Sequence, residues 1–150
     1  MKVSDFKNTM WDYTRKIAES MNNAFSPVCE EHHLTMMQAR ILMELYHNKS
    51  HTVGSLANSL SVAGANISTM CKKLESKGYL ERVRDQEDER VVKLALTNRG
   101  KKTVLAIDKS LNEKISQQVV GEAKKDFDDI ILGLKKLNSL LQKISIVEKE

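Results

Sequence analysis

Residues Ser61 to Arg90 read SVAGANISTMCKKLESKGYLERVRDQEDER, and this stretch decides the fold. Ile67, Met70, Cys71 and Leu74 recur at three- and four-residue intervals, so they share one side of a helix running from about Ala63 to Lys77. Gly78 is a natural stop for that helix. Beyond it, Tyr79–Arg84 and Val91–Leu96 read as two strands, the second placing Val92, Leu94 and Leu96 on one face. The run Asp85-Gln86-Glu87-Asp88-Glu89-Arg90 between them is too polar for a core and forms a hairpin tip.

Upstream, Thr52 caps a short helix carrying Val53, Leu56, Ala57 and Leu60, joined to the next by a tight turn at Ser61-Val62. Ala57, Ser61 and Ile67 fall where a helix-turn-helix needs a small residue, a turn residue and a buried aliphatic residue. Earlier still, Thr35 and Gln38 form a capping-box pattern. It opens a helix whose buried face is Met37, Ile41, Leu42 and Leu45. The first helix carries Val3, Phe6, Met10, Tyr13, Ile17, Met21 and Ala24. It stops near Ser26-Pro27, or bends there and runs on to Glu31, because proline disfavours helix at the residue before it.

Downstream, Thr97 caps a helix reaching roughly Val120, and Gly121 marks a break. The last helix alternates Phe127, Ile130, Leu134, Leu137, Leu141 and Ile144 by three and four, with Ile131, Leu132, Leu140 and Val147 widening the apolar surface. Such a stripe suits coiled-coil-like pairing. Long helices at both ends of a compact middle point to an intertwined homodimer.

The 150 residues, 41% hydrophobic and 29% charged, suit one globular domain. One proline and six glycines leave few helix breakers. No run approaches the ~20 apolar residues of a membrane span, and no apolar block follows the N-terminus as in a signal peptide. The expectation is a cytoplasmic protein with no membrane partner, in which Cys29 and Cys71 form no disulfide framework. The net charge of +4 is concentrated. Ala63 to Thr103 holds ten lysines and arginines against six acidic residues, and the remainder balances. A local positive field of that kind favours a polyanion.

The outward face of the Ala63–Lys77 helix is Ala65, Thr69, Lys72 and Ser76, flanked by Asn66, Ser68 and Lys73. Small polar side chains approach base edges in a major groove, and lysines meet phosphates. The hairpin strands are flanked by Arg82, Arg84 and Lys93, and the tip ends in Arg90. A β-ribbon can place such an arginine in the narrow minor groove, where the potential is most negative. Asp88, two residues earlier, is expected to fix Arg90 by a bidentate pair.

These residues resemble the MarR family, the winged-helix regulators named for multiple antibiotic resistance. The resemblance rests on Leu56-Ala57, Ile67, the run Lys73 to Arg82, then Asp85, Asp88 and Arg90, then Leu94-Ala95-Leu96-Thr97 and Gly100. Thr35-Met36-Met37-Gln38 also resembles the start of that family's second helix. The resemblance implies a homodimer held by the first and last helices on a pseudo-palindromic DNA site. It implies the fourth helix in the major groove and Arg90 in the minor groove. It further implies a ligand-responsive repressor with a small aromatic or phenolic effector in a crevice near Trp11, Tyr13, Arg15 and Met43. The chain departs from the family pattern at Glu89, where many relatives carry a second basic residue. Gly64 and Ala65 supply no side-chain donors, which moves base reading to Asn66, Ser68 and Thr69 or to DNA shape.

The expected fold class is therefore mainly α with a small β-hairpin wing (α+β), a winged helix-turn-helix with terminal dimerisation helices. Its expected layout is one domain over 1–150. Dimerisation helices occupy 1–33 and 121–150, the winged helix-turn-helix 34–100 and a connecting helix 101–120. No enzyme is expected, because no nucleophile, base and orienting partner are ordered for catalysis, and no cofactor is expected either. Cys29, His32, His33, His47 and His51 raise a metal-responsive alternative, though His47 and His51 straddle a helix end and solvated loop histidines are the simpler account. Cys29, expected at the surface, raises a redox alternative, which Glu30 and Glu31 oppose by raising its pKa. Cys71 reads as a small core hydrophobe. A protein–protein adaptor without DNA affinity is a further alternative.

Overall fold

The computed structural model describes residues 1–121 and 124–147. Among them run α1 (Val3–Glu30), α2 (Met36–His47), α3 (Val53–Leu60), α4 (Gly64–Ser76), β1 (Leu80–Arg84), β2 (Val92–Leu96), α5 (Asn98–Gln118) and α6 (Lys124–Val147). The chain divides into two compact units, Met1–Glu113 and Lys114–Glu150.

In the first unit the expected helices form where their caps place them. Thr35 closes a full capping box. Its Oγ1 accepts the Gln38 N–H (3.2 Å), and Gln38 Oε1 accepts the Thr35 N–H (3.0 Å). Ile41, Leu42 and Leu45 are buried as expected, but Met37 is only half-buried. Gln38 and Ala39 are buried instead, so the inward stripe sits one to two residues further round. Thr52 caps α3 with a second box, in which Ser55 takes the position usually held by Glu or Gln. α1 does not stop at Ser26. It continues through Pro27 to Glu30, because the next two residues, Val28 and Cys29, are buried in the core and that packing offsets the backbone bond proline forfeits.

The turn between α3 and α4 is tight. Ser61 adopts left-handed backbone (φ 53°), and the Val62 N–H donates to the Ala57 carbonyl at 3.0 Å. Leu56 and Ala57 of α3 and Ile67, Cys71 and Leu74 of α4 are buried together with Leu80, Leu94 and Ile107. Each fully buried leucine or isoleucine contributes about 1.5–3 kcal/mol relative to exposure, so this cluster holds the two helices and the sheet as one body.

β1 and β2 pair antiparallel in register Leu80↔Leu96, Arg82↔Leu94 and Arg84↔Val92. Tyr79, expected in the first strand, lies in the turn before it. Leu94 and Leu96 are buried, whereas Val92, on the same face, is exposed towards the hairpin tip. His51 adds a bridge to this sheet, its carbonyl accepting the Leu94 N–H at 2.8 Å.

α5 begins at Asn98 with Thr97 as its cap and ends at Gln118, and Gly121 follows with φ +97°. In the second unit α6 carries the expected stripe. Phe127, Ile130, Leu134, Leu141 and Ile144 are exposed, and Leu137 is half-buried. Residues 122–123 and 148–150 of the expected 121–150 helix, and the Val147 side chain, lie outside the described residues. No described helix is long and apolar enough to cross a membrane.

Candidate nucleic-acid interface

The C-terminus of α4 fixes its direction. The Tyr79 N–H donates to the Leu74 carbonyl (3.0 Å) and the Gly78 N–H to the Glu75 carbonyl (2.9 Å). This is a Schellman closure, with Gly78 at φ +80° as the left-handed residue and buried Tyr79 against buried Leu74. Three longer-range bonds anchor the same turn. The Tyr79 hydroxyl donates to the His32 carbonyl (3.1 Å), Lys77 Nζ to the His33 carbonyl (3.1 Å) and Arg99 Nη1 to the Lys77 carbonyl (2.6 Å). The Arg99 guanidinium also lies 4.5 Å from the centre of the Tyr79 ring. The end of α4 is thus tied both to the α1–α2 turn and to the start of α5.

On the outer face of α4, Ala65, Asn66, Thr69, Lys72 and Lys73 are exposed and Ser68 is half-buried. Thr69 donates its hydroxyl proton to the Ala65 carbonyl (3.0 Å), which leaves that oxygen chiefly an acceptor. Among the described residues neither lysine has a carboxylate partner, and the Asn66 amide has no partner. Ala63 caps the helix without a side-chain bond, and nothing lies within 4 Å of where a Cβ on Gly64 would stand. The N-terminal end of α4 is therefore bare, and a backbone or base edge can approach it closely.

The wing tip is built by its acidic residues. The Asp85 carboxylate accepts the Glu87 N–H (2.9 Å) and pairs with Lys93 Nζ (2.9 Å), and these contacts, the backbone bond foremost, hold its pKa below the usual value. Asp88 Oδ1 accepts both the Arg90 N–H and Arg90 Nε, each at 3.1 Å. The expected Asp88–Arg90 pair is thus present but runs through one carboxylate oxygen, not two. With only one residue between them, the side chains meet at the backbone turn and not head-on. Arg90 keeps its outer nitrogens in solvent, its side chain 92% exposed. Arg84 is exposed on the same hairpin. Its Nη1 donates to the Glu89 carbonyl (2.8 Å) and so braces the tip. Arg82 lies 3.8 Å from Glu75 and links β1 to α4.

The sensing candidates are dispersed. Trp11 and Tyr13 are 66% and 60% exposed on α1, Arg15 is held between Asp12 (3.0 Å) and Glu19 (2.9 Å), and Met43 packs half-buried against the core. None of the four lines either of two surface cavities in the first unit. Cys29 is buried, contrary to its expected exposure, because the helix carries on past Pro27. Burial, then Glu30, raises its thiol pKa, and burial raises that of Cys71. Neither environment favours a thiolate.

His51 has an unforeseen role. Its Nε2 lies 3.0 Å from Glu44 Oε1 and its Nδ1 2.9 Å from Ser55 Oγ. The same Glu44 oxygen accepts Ser59 Oγ (2.8 Å) and Asn48 Nδ2 (2.9 Å), and these donors, Ser59 first, lower its pKa. This network ties the end of α2 to α3. The Glu44–Asn48 and His51–Ser55 spacings of four residues were available in the sequence, but the Ser59–Glu44 bond spans fifteen residues and has no spacing signal. No group of three or more metal-ligating side chains occurs among the described residues.

A helix-turn-helix with a bare recognition-helix face beside an arginine-tipped hairpin defines the winged-helix class of regulator. Solved structures agree on the fold. A MarR family protein from Bacillus stearothermophilus superposes with TM-score 0.79 at 18% identity, over 95% of this chain and 99% of that one. MepR of Staphylococcus aureus, in complex with DNA, superposes with TM-score 0.72 at 23% identity over 93% and 98%. The family model of the transcriptional regulators SarA/Rot matches residues 23–107. SarZ of Staphylococcus aureus is 30% identical over 109 residues, 71% of this chain and 70% of its own length. The chain belongs to the SarA/Rot family of transcriptional regulators, on the winged-helix fold of the MarR family. It spans 43% and 59% of the length of two further curated relatives.

Proposed function

We propose that this protein is a sequence-specific DNA-binding repressor that acts as a homodimer on a pseudo-palindromic operator. The observation that carries the reading is the pairing of two exposed cationic elements in one compact unit. Arg90 stands exposed on a wing braced by Arg84 and Asp88. Asn66, Lys72 and Lys73 stand exposed on a helix locked at its C-terminal end. Ala65, Ser68 and Thr69 form the close-approach surface between them and the bases. The MepR structure contains DNA, which supports DNA as the partner here.

Dimerisation through 1–33 and 121–150 is supported by the apolar side chains left exposed on both α1 and α6, among them Phe6, Ile17, Met21, Ile130 and Leu134. Two-fold symmetry then sets half-sites about one helical turn apart, on the order of 10 base pairs. A small effector shifts the spacing of the two recognition helices and releases the operator. Trp11, Tyr13, Arg15 and Met43 are retained as its candidate contacts at the dimer helices, and the cytoplasm is the compartment that fits a repressor.

Sequencing the genomic fragments the protein retains tests the reading. A recurring inverted repeat supports it. Retention without enrichment, or duplex binding that ignores salt, overturns it in favour of a protein–protein adaptor, since counterion release marks phosphate contacts.

A further inference from the structure

α1 and α4 end in the same kind of closure, and side chains at the end of one bond to carbonyls at the end of the other. At α4 the left-handed residue is Gly78. At α1 it is His33, with φ 56°. There the His33 N–H donates to the Glu30 carbonyl (2.9 Å) and the Leu34 N–H to the Cys29 carbonyl (3.1 Å). Leu34 and Cys29 are both buried, which supplies the apolar contact of the motif. The carbonyls of His32 and His33 lie just beyond, at the negative end of α1. The Tyr79 hydroxyl donates to the first and Lys77 Nζ to the second, each at 3.1 Å, so an ammonium meets a helix end that favours a cation. The donors are themselves held from the start of α5. Thr97 Oγ1 donates to the Gly78 carbonyl and Arg99 Nη1 to the Lys77 carbonyl, both at 2.6 Å.

From this joint we infer that Tyr79 and Lys77 are positioning residues that fix the angle between α1 and the recognition helix, and with it the half-site spacing that the homodimer accepts. Val28 and Cys29 are the buried residues of α1, and most of the turns before them are exposed. The winged part of the unit therefore grips α1 at its last turn. Core packing of Val28 and Cys29 places the pivot, and the two hydrogen bonds from the end of α4 oppose rotation about it. Lys77, although exposed at the end of the recognition helix, is thereby a strut and not a phosphate ligand.

The leverage is large on the scale of DNA. α4 has 13 residues, about 20 Å, and its bare N-terminal end is the one farthest from the joint. A rotation of about 5° at the joint moves that end by up to about 1.7 Å. In a two-fold dimer the two ends separate by up to about 3.5 Å, close to the rise of one base pair. The consequence for spacing rests on the reading of the protein as a DNA-binding homodimer; the joint itself does not.

The test is the distance between spin labels at N8C on α1 and N58C on α3, read within one chain by diluting labelled protein into excess unlabelled chain. Both positions are exposed, whereas Cys29 and Cys71 are buried. The Y79F/K77M double variant is expected to shift or broaden that distance. K77R, which keeps a donor of similar reach, is expected to match the parent. K77M alone, at an exposed position, carries the same expectation where the double variant fails to fold. A lowered Tm with an unmoved distance marks a merely structural role and overturns the inference. In parallel, duplexes carrying the recovered inverted repeat, with the spacer lengthened or shortened by one base pair, are titrated. The parent's preference for its best spacer is expected to fall at least about threefold in the double variant, with the salt slope unchanged. An unchanged preference overturns the inference. So does a salt slope lower by about one contact in K77M, which makes Lys77 a phosphate ligand. An unmoved distance with duplex bound sinks this inference alone, whereas a moved distance with no duplex bound by the parent sinks the regulator reading and leaves the joint standing.

Discussion

Replacing Gly100 with Ala separates two opposed physical effects. Gly100 sits in the first turn of α5, where helix propensity alone favours alanine by about 1 kcal/mol. A Cβ built there, however, would stand 2.0 Å from the Tyr79 carbonyl oxygen, 3.1 Å from its carbon and 3.2 Å from a Leu96 methyl. The oxygen is backbone and cannot swing away. It accepts the Thr97 N–H and belongs to the turn that closes α4. Relief requires α5 to lift off that turn, an overpacking cost of about 1–3 kcal/mol. Losing the Thr97–Tyr79 bond in a buried setting costs about 1–3 kcal/mol more. Net of propensity, G100A is expected to lose about 1–5 kcal/mol. At roughly 2–4 °C per kcal/mol for a chain of this length, Tm falls by about 2–20 °C. Urea unfolding followed by circular dichroism measures it, with an unchanged slope showing that stability and not the unfolded state has moved. A variant as stable as the parent, or more so, refutes the argument that glycine is required for close approach of α5 to the α4 turn.

Three further outcomes follow from the same geometry. R90A should weaken binding of all duplexes, with the salt slope reduced by about one phosphate contact and the oligomeric state unchanged; equal affinity across a salt series removes Arg90 from the interface. N66A should lose about 1–3 kcal/mol on the specific operator and less on random DNA, and an unaltered specificity ratio takes Asn66 out of base reading. Glu44, whose pKa is lowered by Ser59, Asn48 and His51, contributes stability that is present above the ordinary carboxylate range and lost as pH falls through its folded value. E44Q should therefore be less stable than the parent at neutral pH, with the gap closing under acid conditions; a gap independent of pH contradicts the assignment.

The elements themselves were legible in the chain. The spacing of Ile67, Cys71 and Leu74, the Thr35–Gln38 box, and Gly78 after Lys77 act within one helical turn, and local signals of that kind survive without tertiary context. The hairpin was legible for the same reason, since Leu94 and Leu96 alternate against a tip too polar to bury. Where long-range packing competes with a local rule, the local rule left alternatives open. Pro27 left open a stop at Ser26 or a helix running on to Glu31, and α1 takes the second course, to Glu30, with Val28 and Cys29 buried in the core. That same continuation buries the cysteine expected at the surface.

The grouping of the candidate interface residues was legible, but their separate contacts were not. Sequence placed Arg84, Asp88 and Arg90 together on the wing; folding ties the exposed Arg84 to the Glu89 carbonyl and leaves most of Arg90 in solvent. Sequence placed Asn66, Ser68 and Thr69 on one helix face; folding half-buries Ser68 and ties the Thr69 proton to Ala65. By itself, then, the sequence determined the helices, the hairpin and the local excess of positive charge, because periodicity, caps and composition are properties of neighbouring residues. Only the tertiary structure decided that Tyr79 and Lys77 at the end of α4 bond to the His32 and His33 carbonyls, that Ser59 reaches Glu44, and that Cys29 is buried. Those facts depend on hydrogen-bond partners and core contacts between segments far apart along the chain, and no spacing rule encodes them.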